Sequence, residues 1–149
     1  RGPAVAGRRA GIVEEEVRGI TVSRKADALF FLQTARMDQR RNDQERRERK
    51  QFIMARYVVH YADGANVEIP IRAEVDIDDY RQKQPGPLPG AQLGWSKRYP
   101  DSEEHAAVWV MQWDNPRPDV EIRSVDFVYG ADRRGVPVLL ALTAATAAR

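Results

Sequence analysis

The sequence predicts an all-β fold, a jelly roll or β-sandwich of about eight strands. Short runs of β-branched and aromatic residues recur from Val17 onward, at the spacing typical of such folds. Residues that favour turns separate these runs. Outside residues 36–50, no apolar stripe has the i, i+3, i+4 spacing of a helix. The length of 149 residues suits one domain with a real core.

Two parts of the chain are expected, an arm over residues 1–16 and a single sandwich domain over residues 17–149. The arm consists of small and charged residues, and its apolar positions show no periodicity. The domain is predicted to contain eight strands, in order over residues 17–23, 28–35, 53–61, 67–73, 92–95, 107–113, 120–129 and 136–143. The turns between them include a Pro-Gly-Pro-Leu-Pro-Gly stretch at residues 85–90.

The hairpin formed by the third and fourth predicted strands is regular enough to predict a register. Alternation places Val59 and Tyr61 on one face of the first strand. It places Val67 and Ile69 on one face of the second. A loop with an odd number of residues brings those faces together and sets Tyr61 opposite Val67. The next pair is then Val59 and Ile69, and His60 points outward beside Glu68.

The last two predicted strands carry irregular features. Between Ile122 and Val125 the apolar positions change from even to odd numbers, which predicts a bulge near residues 123–124. The last strand is nearly all apolar, so we expect both of its faces to be covered. Pro137 should lie at its start, where a backbone donor is dispensable.

Residues 36–50 form one charged insertion, with seven basic and four acidic side chains. Oppositely charged side chains at i, i+4 spacing favour a short helix, and a solvated loop is the alternative. The insertion alone accounts for the high pI, so the fold has no extended basic face. The insertion also lacks the interleaved aromatic residues that stack on bases, and nucleic acid is therefore not a predicted partner. A polar contact surface with a neighbouring subunit is the functional alternative, formed by Arg40, Arg41, Arg46, Arg47 and Arg49.

Catalytic and metal-binding motifs are not found in the sequence, and we predict no enzyme activity. Neither His60 nor His105 sits in a nucleophile motif, and there is no cysteine. No apolar run approaches the roughly 20 residues of a membrane helix, so membrane insertion is not expected. Asp76, Asp78 and Asp79 are read as a capped turn, with a structural calcium ion as the alternative and no other cofactor.

The tryptophans fall into two groups. Trp109 and Trp113 share a strand face with Ala107 and Met111, and this stripe is read as core. Trp95 follows Gly94 at a strand end and is expected to be more exposed.

Exposed aromatic rings can stack on sugar rings while charged or amide groups bind the hydroxyls. Trp95, Tyr99 and Tyr80 are therefore predicted to contact a carbohydrate. Arg98 and Arg117 are the predicted hydrogen-bond donors. The alternative is that these aromatic residues form a rim that shields the core.

Four segments carry a family resemblance. They are KADALFFLQTA at residues 25–35, YVVHYADG at 57–64, WDNPRP at 113–118 and GVPVLLALT at 135–143. In this order they resemble the galactose-binding-like jelly-roll domains that serve as accessory modules in bacterial glycoside hydrolases and other secreted multidomain proteins. The resemblance implies a β-sandwich, an extracellular or cell-surface location, and carbohydrate binding through loops at one end.

Two functions remain open from the sequence. The first is a non-catalytic carbohydrate-binding accessory module, whose partner is a glycan. The second is a self-associating structural subunit of an extracellular assembly, whose partners are neighbouring protein subunits of the same kind. In the second reading the arm and the Arg-rich insertion make the contacts, with residues 10–17 as a strand donated to a neighbour.

Overall fold

A computed structural model describes residues 16–37, 52–130 and 135–147. This part of the chain is all β and contains no helix, and hence no helix able to cross a membrane. Its nine strands are β1 (Glu16–Arg24), β2 (Ala28–Met37), β3 (Ile53–Tyr61), β4 (Asn66–Arg72), β5 (Arg81–Gln82), β6 (Gln92–Arg98), β7 (His105–Asp114), β8 (Ile122–Tyr129) and β9 (Gly135–Ala145). All eight predicted strands are present, with ends shifted by up to three residues, and the two-residue β5 was missed.

The strands form two antiparallel sheets. Sheet A has the order β1-β8-β3-β4. Sheet B has the order β6-β7-β2-β9, and β5 also pairs with β7. The segment that leads into β5 enters between β2 and β7, where the Tyr80 amide donates to the Ala35 carbonyl at 2.7 Å. The Ala107 amide donates to the Tyr80 carbonyl at 2.8 Å.

The core lies between the two sheets, which confirms the predicted sandwich. The rings of Phe31 on β2 and Tyr57 on β3 stack with centroids 3.9 Å apart. Gln33 is buried beside them and accepts a hydrogen bond from the Tyr57 hydroxyl at 2.6 Å. Burial raises the pKa of Tyr57, which keeps it a neutral donor. Trp109 is fully buried, as the core reading of its stripe predicted.

The β3–β4 hairpin confirms the odd-numbered loop but not the predicted partners. Val59 pairs with Val67 and Tyr57 with Ile69, two residues from the expected register. The Tyr61 amide instead donates to the Ala65 carbonyl at 2.9 Å, which closes the turn early.

The bulge in β8 is confirmed, because successive residues of β3 pair with residues 124 and 122 and leave Arg123 as the extra residue. The predicted start of the charged insertion is wrong. Arg36 and Met37 belong to β2 and pair with Val136 and Gly135. Residues 38–51 lie outside the described residues, as do residues 1–15 of the predicted arm. Glu16, the last residue of that arm, is the first of β1.

The last strand, β9, is not covered on both faces as predicted. Pro137 is buried on the inner face, but Val138 is 39% exposed and Leu140 is 52% exposed. The reason is the position of the strand: β9 is at the edge of sheet B. Within the described residues no further layer packs on the outer face of that sheet.

Candidate binding surface

Trp95 lies on the outer face of sheet B because of a bulge at Gly94. Leu93 pairs with Trp109 on the inner face, whereas Trp95 pairs with Val108 on the outer face. A side chain on Gly94 would place its Cβ 2.8 Å from a methyl of Val110, so the close approach requires glycine. The bulge therefore turns the Trp95 side chain, which is 52% exposed, toward solvent.

Beyond Trp95, the edge strand β6 continues as a polar and aromatic row. Alternation places Lys97 and Tyr99 on the same side as Trp95, and Arg98 on the other side. The Arg81 guanidinium covers the Tyr99 ring at 4.5 Å from its centroid. The hydrogen bond from Arg81 to Glu104, 2.9 Å long, raises the pKa of Arg81 and fixes this cation.

Trp95 and Tyr99 therefore lie on one side of sheet B, and among the predicted sugar contacts Trp95 has the most exposed ring. Tyr80 precedes Arg81 in the chain and is 38% exposed. One ring face of Tyr99 is occupied by Arg81. Tyr80 lies opposite Ala107, whose side chain is on the inner face, so the structure groups Trp95 with Tyr99 but not with Tyr80.

Arg117 does not join this group. It lies beyond Asp114, at the far end of β7, which spans about 30 Å. Its guanidinium forms a bidentate ion pair with Asp63 and sits 4.5 Å from the centroid of the Tyr61 ring. The hydrogen bond from Arg117 lowers the pKa of Asp63. Arg117 therefore ties the β3–β4 turn to the loop after β7.

A pocket of about 400 Å³ opens on the outer face of sheet B, close to Trp95. Phe30 and Val110 form its apolar floor, and the amides of Gln92 and Gln112 lie at its sides. Val108, the partner of Trp95, and Gln112 are four residues apart on one strand face, or about 13 Å. Trp95 is not among the residues that line the pocket, but its partner Val108 is two residues from Val110 on the same strand face, so the ring and the pocket share the outer face of sheet B.

The pocket's other wall is the Pro-rich loop of residues 87–91. The loop is anchored from below, because the buried Trp109 indole donates to the Gly86 carbonyl at 2.9 Å. The Gly90 amide donates to the Val75 carbonyl at 2.7 Å. A Cβ on Gly90 would lie 2.2 Å from an Asp76 oxygen, so the loop packs against the body without space for a side chain.

Sequence reasoning missed the pocket residues Phe30, Gln92 and Gln112. Gln112 alternates with the apolar residues of β7, which marks an outward position. Its amide donates to Asp114 at 2.8 Å, which orients its carbonyl oxygen. The Pro-rich stretch was read as a turn only, although it forms a wall.

The three aspartates read as a capped turn make local hydrogen bonds. Asp76 accepts from the Arg72 amide at 2.9 Å, and Asp78 accepts from the Asp79 amide at 2.8 Å. Burial raises the pKa of Asp78. No cluster of three or more carboxylates or histidines within the described ranges is arranged around a metal position.

His60 lies on sheet A and forms a contact within that sheet. It points outward from β3, as predicted, but it pairs with Asn66 rather than Glu68 because the turn closes two residues early. Its Nε2 lies 2.8 Å from Asp126 on β8. The Asp126 carboxylate also accepts from the Gly19 amide of β1 at 2.7 Å. This pair therefore attaches the edge strand β1 to sheet A.

The predicted assembly surface of Arg40, Arg41, Arg46, Arg47 and Arg49 lies outside the described residues, so that reading stays a prediction. No protein-family model matches the chain, and no curated protein shows a significant match to it.

Proposed function

We propose that this chain is a non-catalytic module that binds carbohydrate on the outer face of sheet B. The observation that carries the proposal is the half-exposed Trp95 ring beside a pocket with an aromatic floor and two side-chain amides. The proposal includes an extracellular or cell-surface location, which the resemblance of the four sequence segments implies.

The chemistry of this surface suits a sugar. A pyranose ring offers an apolar face of C–H groups and a rim of hydroxyls. Trp95 supplies an exposed flat apolar surface, while Gln92 and Gln112 supply amide donors and acceptors at the pocket sides. Lys97, on the same side as Trp95, adds a cation at one end of the surface.

The surface is also built to keep its shape. Gly94 fixes the position of Trp95, and the Trp109–Gly86 hydrogen bond fixes the loop wall. A surface that is formed before the ligand arrives loses little conformational entropy on binding. Such a site can hold a ligand without a large interface.

The proposal is tested by screening the full chain on a broad glycan array and measuring the affinity for each retained glycan by calorimetry. Trp95→Ala should weaken binding by roughly tenfold or more, the loss expected for a stacking anchor of about 1.4 kcal/mol or above. Ile53→Ala is the matched control, since Ile53 is equally exposed at 51% but lies on sheet A. Circular dichroism confirms that both variants fold.

Two results would contradict the proposal. One is an array on which the folded wild-type chain retains no glycan. The other is a glycan whose affinity is unchanged by Trp95→Ala but reduced by Ile53→Ala, because the binding surface is then on the other sheet.

A further inference from the structure

We propose that two copies of this chain join edge to edge through β9, by antiparallel pairing about a two-fold axis. β9 has 11 residues, more than any other strand in the described part of the chain. Within the described residues it pairs with β2 on one side and with no strand on the other. The open side presents backbone donors and acceptors suited to another strand.

The charge of β9 distinguishes it from the other edges of the sandwich. The edge strands β1, β4 and β6 each carry charged residues, such as Arg18, Glu68 and Lys97. Residues 135–147 contain none. Charged residues on an edge oppose pairing with a second chain, and like charges meet when a strand pairs with its own copy. The uncharged β9 has neither obstacle, which favours a second copy as its partner.

The regular part of the strand sets the register. Pro137 lacks a backbone donor, and a register shift leaves Leu140 as an extra residue opposite β2. Residues 141–145 remain as the uninterrupted stretch, with Thr143 exposed at its centre. A two-fold axis through this stretch sets Thr143 beside Thr143 of the second copy. The half-exposed Leu140 then packs against the end of the partner's strand.

The surroundings of β9 extend the contact beyond one strand pair. A groove runs between β9 and the edge strand β1 of sheet A, and its lining includes Ile20, Val22 and Arg24 on one side and Leu142, Thr143 and Ala144 on the other. A second pocket between the same two strands is lined by apolar and aromatic residues, among them Val17 and Val138. A short strand pair with this groove fits an interface at the low end of the size range, so the dimer should dissociate on dilution.

The geometry also fixes where the proposed binding surfaces point, which rests on the proposed function. A two-fold axis between antiparallel strands stands perpendicular to the sheet, so both outer faces of sheet B lie on one side. Seven strand spacings separate β6 from β6 of the second copy, or about 34 Å. One glycan chain can then be held at two positions.

The first test is the molar mass of the full chain by light scattering across a concentration series. The wild type should rise toward twice its monomer mass of 16.9 kDa. Thr143→Lys and Thr143→Glu should each raise the dissociation constant by roughly tenfold or more, and an equimolar mixture of the two should restore association. Ser96→Lys, on the opposite edge of sheet B, is the matched control and should leave the dissociation constant unchanged.

The second test uses the absence of cysteine from the chain. Thr143→Cys should form a covalent dimer under mild oxidation, because directly paired strand residues lie within disulfide distance. Ser96→Cys should stay monomeric on a non-reducing gel.

A wild type that stays monomeric at every concentration overturns the proposal. So does a dimer that Ser96→Lys weakens and Thr143→Lys does not, because the shared surface is then the other edge. Glycan affinity is measured in parallel: Thr143→Lys should retain binding to immobilised monovalent sugar, and Trp95→Ala should retain the dimer. The proposed dimer and the proposed carbohydrate binding can therefore fail independently, and these measurements show which one has failed.

Discussion

The two sheets of this sandwich differ most on their outer faces. On sheet A, polar side chains find partners within the sheet. His60 pairs with Asp126 at 2.8 Å, and Arg56 pairs with Glu68 at 3.2 Å. On sheet B, the strand positions that point outward are largely apolar, among them Phe30, Leu32, Val108, Val110 and Trp95.

This difference indicates that the outer faces of the two sheets are in contact with different surroundings. Both sheets use alternation to fill one core. Apart from the exposed Ile53, sheet A follows it with a largely polar exterior, as antiparallel sheets commonly do. Sheet B departs from the pattern, and a contiguous exposed apolar surface in a folded domain marks a place of contact. The proposed glycan surface and the proposed dimer edge both lie on sheet B.

The largest expected loss of stability comes from a substitution on sheet A. Asp126→Ala removes an acceptor that is only 8% exposed and leaves the Gly19 amide and His60 without their partner. We expect unfolding free energy to fall by about 2 to 3 kcal/mol in urea titrations. Glu68→Ala, which breaks an exposed ion pair, should cost less than about 0.5 kcal/mol. Equal effects of the two substitutions would show that the polar exterior of sheet A does not hold β1.

A smaller change in stability is expected when the pH is lowered. Burial raises the pKa of Asp126, but the hydrogen bonds from Gly19 and His60 and the charge of Arg18 outweigh it and lower the pKa below its usual range. Ionised Asp126 therefore stabilises the fold above its unfolded pKa of about 3.9 and loses that contribution as pH falls through the folded value. The stability difference between wild type and Asp126→Asn should shrink as the solution is acidified below about pH 4. A difference that stays constant with pH contradicts the assigned role.

The smallest expected effect is on sheet B. Trp95→Gln should change the unfolding free energy by less than about 1 kcal/mol, because half of the side chain is already in water. The same substitution should reduce the binding of a hydrophobic dye to the folded chain. A loss of several kcal/mol would mean that Trp95 is part of the core, and the contrast between the two exteriors would then disappear.

Sequence patterning predicted the strands well because each is regular over several residues. The buried Trp109 stripe and the bulge at Arg123 follow from alternation and its interruption. The two-residue β5 has too few residues to show a period.

The candidate surface was harder to predict, since it depends on tertiary placement. Trp95 has the parity of Leu93, an inner residue, and only the bulge at Gly94 turns it outward. Arg117 looked available beside a turn, but its position opposite Asp63 depends on two loops far apart in sequence. Val138 and Leu140 read as buried because the sequence does not show which strand lies at an edge.

The pairing of early strands with late ones has a consequence for how the chain folds during synthesis. β1 pairs with β8 and β2 with β9, so a bond such as that from Gly19 to Asp126 spans 107 positions. Closing such long loops is slow. Neither sheet can be completed before the late strands leave the ribosome. Until then β2 offers an apolar edge to neighbouring nascent chains, and a chaperone that shields it should raise the folded yield.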